Sequence, residues 1–278
     1  MSANASPVAL SARTLHQWQQ QQRPLVVLDA RARLMDAAAG EALWREGHVP
    51  GAFHADMGRD LSAPPSDQGG RHPLPDKADF AARLRAWGIS PEQAVVVYDD
   101  TGGQIAAARA WWMLNWAGHP AAHVLDGGWQ AWLAAGLPTE SRAPATTASH
   151  WQPAFNDALI ASADDVAQGR ALLLDARAGE RYRGESEPLD PVAGHIPGAR
   201  NLPGPSLLSG DLCFQPSAAL QSMLPDADEV IAYCGSGVSA CQLILGYALA
   251  GRPLPRLYPG SWSAWSRDPS RPVATGEK

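Results

Sequence analysis

The sequence predicts an α/β protein made of two tandem copies of one domain, each a central parallel sheet flanked by helices. Three observations carry this reading. The chain has 278 residues, about twice the usual single-domain size. Short segments recur along it in a fixed order. Short apolar runs alternate with longer helical patterns, as βα units require.

The repeat is explicit. Val26-Val-Leu-Asp-Ala-Arg31 returns as Leu172-Leu-Leu-Asp-Ala-Arg177, and Gly47-His-Val-Pro-Gly-Ala52 returns as Gly194-His-Ile-Pro-Gly-Ala199. The run Ala94-Val-Val-Val-Tyr98 leads into Asp99, where Glu229-Val-Ile-Ala-Tyr233 leads into Cys234. Leu125-Asp-Gly-Gly-Trp-Gln-Ala-Trp132 matches Tyr258-Pro-Gly-Ser-Trp-Ser-Ala-Trp265. The offset falls from 146 at Asp29 and Asp175 to 133 at Leu125 and Tyr258, so the first copy carries extra residues. They fall within Gly58 to Asp76, a loop rich in Gly, Pro and Asp.

Helical patterns run over Asp79–Trp87, Ala106–Trp116 and Val238–Ala250. Between the copies, Thr139-Glu-Ser-Arg-Ala-Pro-Ala-Thr-Thr-Ala-Ser149 is small, polar and proline-containing, a linker composition. The expected organisation is residues 1–140, a linker over 141–152 and a second copy over 153–278. Two-lobed α/β proteins commonly work at the C-terminal ends of strands, which is where Asp99 and Cys234 fall.

Composition narrows the function. At 45% hydrophobic and 18% charged the chain has a globular profile without a membrane-length apolar run. The N-terminal Met1–Pro7 has neither a basic start nor an apolar stretch, so cytoplasm is the expected location. A net charge of −6 without a basic run argues against nucleic acid as a partner. Three cysteines, Cys213, Cys234 and Cys241, lack C-x-x-C spacing, which argues against zinc and against a disulfide framework; no metal is expected. Most of the eleven tryptophans lie in apolar-periodic segments, as core residues do.

Cys234-Gly-Ser-Gly-Val-Ser-Ala240 joins a strand to a helix. Glycines at 235 and 237 let successive backbone N–H groups turn toward one point, and the helix start adds its positive dipole end. Such a loop favours an anion on the Cys234 sulfur, thiolate or persulfide, and marks it as a nucleophile. Cys213 and Cys241 are expected to be structural. Cysteine phosphatases use a similar loop with an arginine six residues after the cysteine. Here that position is Ala240, so the guanidinium that would clamp phosphate is missing.

These residues together resemble the rhodanese superfamily, and within it the two-domain sulfurtransferases, over about Leu10 to Ser266. The resemblance implies that the second copy is catalytic and that Asp99 marks a degenerate first copy. It also distinguishes donors. Thiosulfate-specific members carry basic residues after the cysteine, whereas Cys234-Gly-Ser-Gly-Val238 resembles 3-mercaptopyruvate sulfurtransferases. By the same resemblance Ser236 joins His72 and Asp56 in a relay, Gly235, Gly237, Val238 and Ser239 line the donor site, and Arg181 binds the donor anion. Arg183 is a second candidate for that role. The mercaptopyruvate pattern has another arginine after a Glu-Pro pair, where this chain has Leu189. His48 and His195 occur in both copies and are expected to be structural.

The implied reaction is a double displacement through a Cys234 persulfide, without an organic cofactor. The donor is 3-mercaptopyruvate, with thiosulfate as the alternative. The acceptor is cyanide, a thiol or a thioredoxin-like protein. A persulfide relay module without its own small-molecule donor is the reading from another class, and Arg181 and Ser236 weigh against it.

Overall fold

The structure, a computed structural model, describes residues 8–33, 35–103 and 105–277. Met1–Pro7 lies outside them. The chain forms two compact units that do not follow chain order alone. The first gathers the chain up to Leu61 with Pro75–Asn156 and Gly210–Phe214. The second gathers Ser62–Leu74, Asp157–Ser209 and the chain from Gln215 onward. Much of the inserted loop of the first copy thus belongs to the unit that carries Cys234.

In the first unit the strands are β1 (Ala9–Leu10), β2 (Leu25–Asp29), β3 (Ala52–His54), β4 (Ala94–Tyr98) and β5 (Ala122–Leu125). They pair in parallel in the order β1-β5-β4-β2-β3. The helices are α1 (Ala12–Gln20), α2 (Ala39–Glu46), α3 (Lys77–Ala86), α4 (Ala107–Trp116) and α5 (Gly128–Ala134). Ser11 and Asp76 start α1 and α3 by accepting from the N–H of Thr14 and Ala78. Val26, Val27, Val95, Val96 and Val97 are all buried, as expected of parallel strands covered on both faces.

The second unit has β6 (Leu172–Asp175), β7 (Arg200–Asn201), β8 (Val230–Tyr233) and β9 (Arg256–Leu257). They pair in parallel in the order β7-β6-β8-β9. Its helices are α6 (Ala163–Ala167), α7 (Gly179–Arg183), α8 (Ser217–Met223), α9 (Ala240–Leu249) and α10 (Ser261–Trp265). Every residue of α9 from Ala240 to Tyr247 is buried, the mark of a helix covered all round. Among the described residues no helix is long and apolar enough to cross a membrane.

In each unit all four repeated markers meet at one buried ion pair. Asp29 takes Arg31 through both carboxylate oxygens, and Asp175 takes Arg177 in the same way. The guanidinium then reaches the carbonyl of the second marker, Gly47 at 2.5 Å and Gly194 at 2.7 Å. It also stacks on the tryptophan of the fourth, Trp129 at 4.4 Å and Trp262 at 4.8 Å. The tyrosine of the third marker closes the set. Tyr98 and Tyr233 bond the aspartate and accept the N–H of Val49 and Ile196. Burial works against the two arginine charges, but the paired aspartates outweigh it and hold both pKa values above the ordinary one. Removing one partner from such a pair strands a buried charge and costs roughly 3–5 kcal/mol.

This network explains why the markers recur as a set, and it fixes the end of each central strand. The paired histidines belong to the same scaffold: His48 and His195 are buried, bonded to the Trp44 and Tyr182 carbonyls and stacked on those rings. Trp111, Trp112, Trp116, Trp132, Trp262 and Trp265 are buried, while Trp129 is half-buried. Each buried large apolar side chain contributes about 1.5–3 kcal/mol.

Candidate active site

Cys234 directly follows Tyr233, the last residue of β8, and is 1% exposed. The fourth marker holds its loop from below. The Cys234 N–H donates to Ser261 Oγ at 3.1 Å, and the carbonyls of Cys234 and Gly235 accept from Trp262 and Ser263 at 3.0 and 2.8 Å. Ser261 is a buried non-glycine residue at φ +51°, a left-handed conformation that costs free energy and is tolerated where neighbours over-determine it. Gly237 has φ +76°, and the Pro259 carbonyl occupies the place a Cβ would take. Glycine is therefore required there twice over, by backbone angle and by space.

The first unit reveals what kind of group this loop accommodates. Asp99 stands where the second unit has Cys234, and its carbonyl takes Trp129 N–H at 2.8 Å just as Cys234 takes that of Trp262. Its carboxylate folds into its own loop. Oδ1 accepts from the N–H groups of Thr101 and Gly103, both at 2.9 Å, and Oδ2 accepts from Ala107 at 3.2 Å. The strand-to-helix loop in this fold is an anion cradle, and in the first copy it is filled by the chain's own carboxylate.

Around Cys234 the polar groups are contributed by distant segments of the same unit. His72 Nδ1 lies 2.8 Å from Ser236 Oγ. The segment bearing His72 is pinned beside it: Arg71 N–H donates to Ser263 Oγ at 3.0 Å, and Gly70, at φ +78°, packs against Ser263 and the Gly260 carbonyl too closely for any side chain. Arg181 donates to Glu187 at 2.6 Å and lies 3.4 Å from Asp190. Burial works to raise the Glu187 pKa, yet Arg181 and the N–H groups of Leu189 and Asp190 hold it below the ordinary carboxylate range. Both Arg71 and Arg181 overlook residue 235: a Cβ there would lie 2.9 Å from Arg71 Nη2 and 3.4 Å from Arg181 Nη1.

A cysteine at the strand-to-helix loop that holds a carboxylate in the first unit, with a hydroxyl-imidazole pair whose hydroxyl lies in the same loop and guanidinium groups facing the next residue, has the groups that nucleophilic attack on an anionic substrate requires. Residues 11–135 and 160–268 both match the family model described as the rhodanese-like domain. The chain belongs to the rhodanese family. A protein named "Probable 3-mercaptopyruvate sulfurtransferase" from Pseudomonas aeruginosa is 46% identical over 265 residues, covering 91% of this chain and 93% of that one. The "Thiosulfate sulfurtransferase" of Rattus norvegicus is 33% identical over 258 residues, covering 87% and 85%. Among solved structures, the 3-mercaptopyruvate sulfurtransferase from Leishmania major matches with a TM-score of 0.82 at 32% identity, covering 94% of this chain and 74% of that one.

Within this rhodanese-family chain, Cys234, Ser236, Gly235, Gly237, Val238, His72 and Arg181 come together in one unit. Arg183 does not join them. It stands two residues from Arg181 on α7, and such positions point about 200° apart. Its guanidinium is bidentate on the exposed Glu185, at 2.7 and 2.8 Å. Ser239 precedes α9 but makes no side-chain cap; its carbonyl accepts from Gln242 N–H at 3.1 Å. Asp56 lies in the first unit, where Oδ1 accepts the N–H of Arg59 at 2.7 Å and its carbonyl takes those of Asp60 and Leu61. It thus shapes the turn that feeds into Ser62–Leu74. Cys241 donates its thiol to the Gly237 carbonyl, and burial with nearby Asp126 and Asp211 pushes the Cys213 thiol up to about 11.

Arg71, Asp190 and Ser261 join these residues in the second unit without having stood out in the sequence. Ser261 had a visible signal: it replaces the glycine found in the first copy at position 128, where φ is +54°. Arg71 and Asp190 had none, since their pairing joins segments 119 residues apart.

Proposed function

We propose that the protein is a 3-mercaptopyruvate sulfurtransferase that works through a Cys234 persulfide. Arg181 orients the donor carboxylate, and the Cys234 thiolate attacks the donor sulfur. The C–S bond breaks with its electron pair moving into the enolate of pyruvate. The proton on the transferred sulfur then passes to the enolate carbon, leaving Cys234–S–S⁻ and pyruvate. An acceptor nucleophile, cyanide in an assay or a thiol or thioredoxin-like protein in the cytoplasm, takes the outer sulfur and regenerates the thiolate.

The observation that carries this reading is the 2.8 Å contact between His72 and Ser236 beside the nucleophile. Transfer from mercaptopyruvate must move a proton from sulfur to carbon, and a hydroxyl-imidazole pair is a proton carrier. Cleavage of thiosulfate moves none. The sulfur-donating half is assigned to residues 153–278 together with the inserted loop, the first copy and the 141–152 linker being structural.

The deciding experiment is rapid-quench mixing of the protein alone with 3-mercaptopyruvate. A stoichiometric burst of pyruvate is expected, with persulfide on Cys234 by mass spectrometry. Absence of a burst, with persulfide appearing only from a protein donor, would favour a relay module. A larger kcat/KM for thiosulfate would reassign the donor.

A further inference from the structure

We infer that Glu187 is a positioning residue for the donor site: it ties the Arg181 guanidinium to the buried Asp175–Arg177 pair and so fixes the direction in which Arg181 meets an anion. The inference rests on the proposed function for what Arg181 binds, and on the structure for the tie itself. The Glu187 side chain is only 3% exposed, yet it carries two arginines. Oε1 accepts from Arg181 Nη2 at 2.6 Å and from the N–H groups of Leu189 and Asp190 at 3.1 and 3.2 Å. Oε2 accepts from Arg181 Nε and from Arg177 Nη1, both at 3.3 Å. Donors crowded on both oxygens leave the carboxylate, and the guanidinium it grips through Nε and Nη2, a single arrangement. Nη1 of Arg181 is the end left over, and it lies 3.4 Å from the place a Cβ on residue 235 would take.

The first copy shows that the scaffold does not need this carboxylate. Its Asp29–Arg31 pair closes at 2.6 Å, as Asp175–Arg177 does, and Arg31 finds its other partners in the Leu43 and Gly47 carbonyls. Four residues after Arg31, where the second copy has Arg181, stands Met35, which is 86% exposed. Seven residues before Gly47, where the same count back from Gly194 reaches Glu187, stands Gly40, and the Arg31 carbonyl occupies the place a Cβ would take. The copy without the nucleophile thus lacks the arginine and the carboxylate together while keeping the buried pair. A carboxylate beside an anion-binding guanidinium opposes the anion by its charge, so its presence is explained by holding the guanidinium rather than by adding attraction. An arginine carries much rotamer freedom, and an anion that meets a fixed fork need not arrest it.

The charge and the grip of Glu187 act with opposite signs on one quantity, the rate of Cys234 inactivation by iodoacetate, an anion, divided by the rate with neutral iodoacetamide in the full chain. Losing a negative charge alone would raise this ratio, whereas releasing Arg181 lowers it. In Glu187→Gln the ratio is expected to fall by about threefold or more. Added to Arg181→Met, the same substitution should produce no fall, because nothing is left for it to hold. A ratio that rises or stays level in Glu187→Gln, or that falls equally in both backgrounds, would overturn the inference. Should Glu187→Gln not fold, the unmodified protein still decides. NMR of the Arg181 guanidinium, identified by its loss in Arg181→Met, should show separate Nη proton signals from hindered rotation, and averaged signals would equally overturn the tie. None of these measurements needs a sulfur donor, so a missing pyruvate burst alongside the fall in ratio would strike the proposed reaction and leave the positioning role in place.

Discussion

His72 Nδ1 lies 2.8 Å from the hydroxyl of Ser236, a partner 164 residues further along the chain. The pair exists because Gly70 fits flat against Gly260 and Ser263, bringing the inserted segment onto the cysteine loop. Ser236 stands two residues from Cys234, where the proposed mechanism needs a proton carrier; in the first copy the same loop is closed by Asp99.

The pair should matter for one donor more than the other. His72→Ala and Ser236→Ala are each expected to lower kcat for 3-mercaptopyruvate by about 10²-fold or more, the usual contribution of a positioned proton carrier. Thiosulfate turnover, which transfers no proton, should fall by less than about tenfold. Steady-state kinetics with both donors checks this, and equal losses would reduce the pair to a structural contact.

Thiol reactivity should separate along the chain. The Cys213 thiol is pushed up to about 11, first by burial and then by Asp126 and Asp211. Its neutral form is the one the fold favours, so its contribution to stability is complete below the ordinary value of 9.0 and is lost as pH rises through about 11. Alkylation at pH 8 should leave Cys213 largely unmodified, its rate climbing about tenfold per pH unit toward 11. Peptide mapping after timed iodoacetamide exposure measures it, and fast labelling of Cys213 at pH 8 would contradict the assignment.

The first copy's anion cradle can be emptied. Asp99→Ala removes an acceptor shared by Thr101, Gly103 and Ala107 and leaves their buried N–H groups without it. A loss of about 2–4 kcal/mol is expected from this, since bonds to a charged acceptor are stronger than neutral ones. Chemical denaturation should register the loss, while the pyruvate burst per folded molecule should stay unchanged.

The fold was legible in the sequence because its determinants are local and doubled. Asp29 and Arg31, or Asp175 and Arg177, stand two residues apart, and the strand runs around them are continuous apolar stretches that only a covered parallel sheet explains. Cys234 was legible for the same reason: Gly237 and the apolar run before it are adjacent in sequence. The contact of His72 with Ser236 came from family resemblance rather than spacing. The pairing of Arg71 with Asp190 followed from neither, because a loop of Gly, Pro and polar residues carries no periodicity to say where it folds. Arg183, the second candidate in the sequence, turns to Glu185 for a simpler reason. A two-residue step along a helix reverses the direction of a side chain, and α7 does so between Arg181 and Arg183.

Ser261 offers the most discriminating substitution, because two effects of known sign compete there. Its left-handed backbone at φ +51° costs about 1 kcal/mol or more, a cost that glycine escapes. Its hydroxyl accepts the Cys234 N–H at 3.1 Å and donates to the Tyr258 carbonyl at 2.9 Å, and leaving that buried N–H unpartnered costs about 1–3 kcal/mol. Ser261→Gly should therefore be nearly neutral in stability, the relief and the loss offsetting. Ser261→Ala keeps the strained angle and forfeits the bond, so it should destabilise by about 2 kcal/mol. Both variants free the amide of Cys234 and should lower kcat/KM together. If Ser261→Gly were stabilised without loss of kcat/KM, the hydroxyl would have no part in placing the nucleophile.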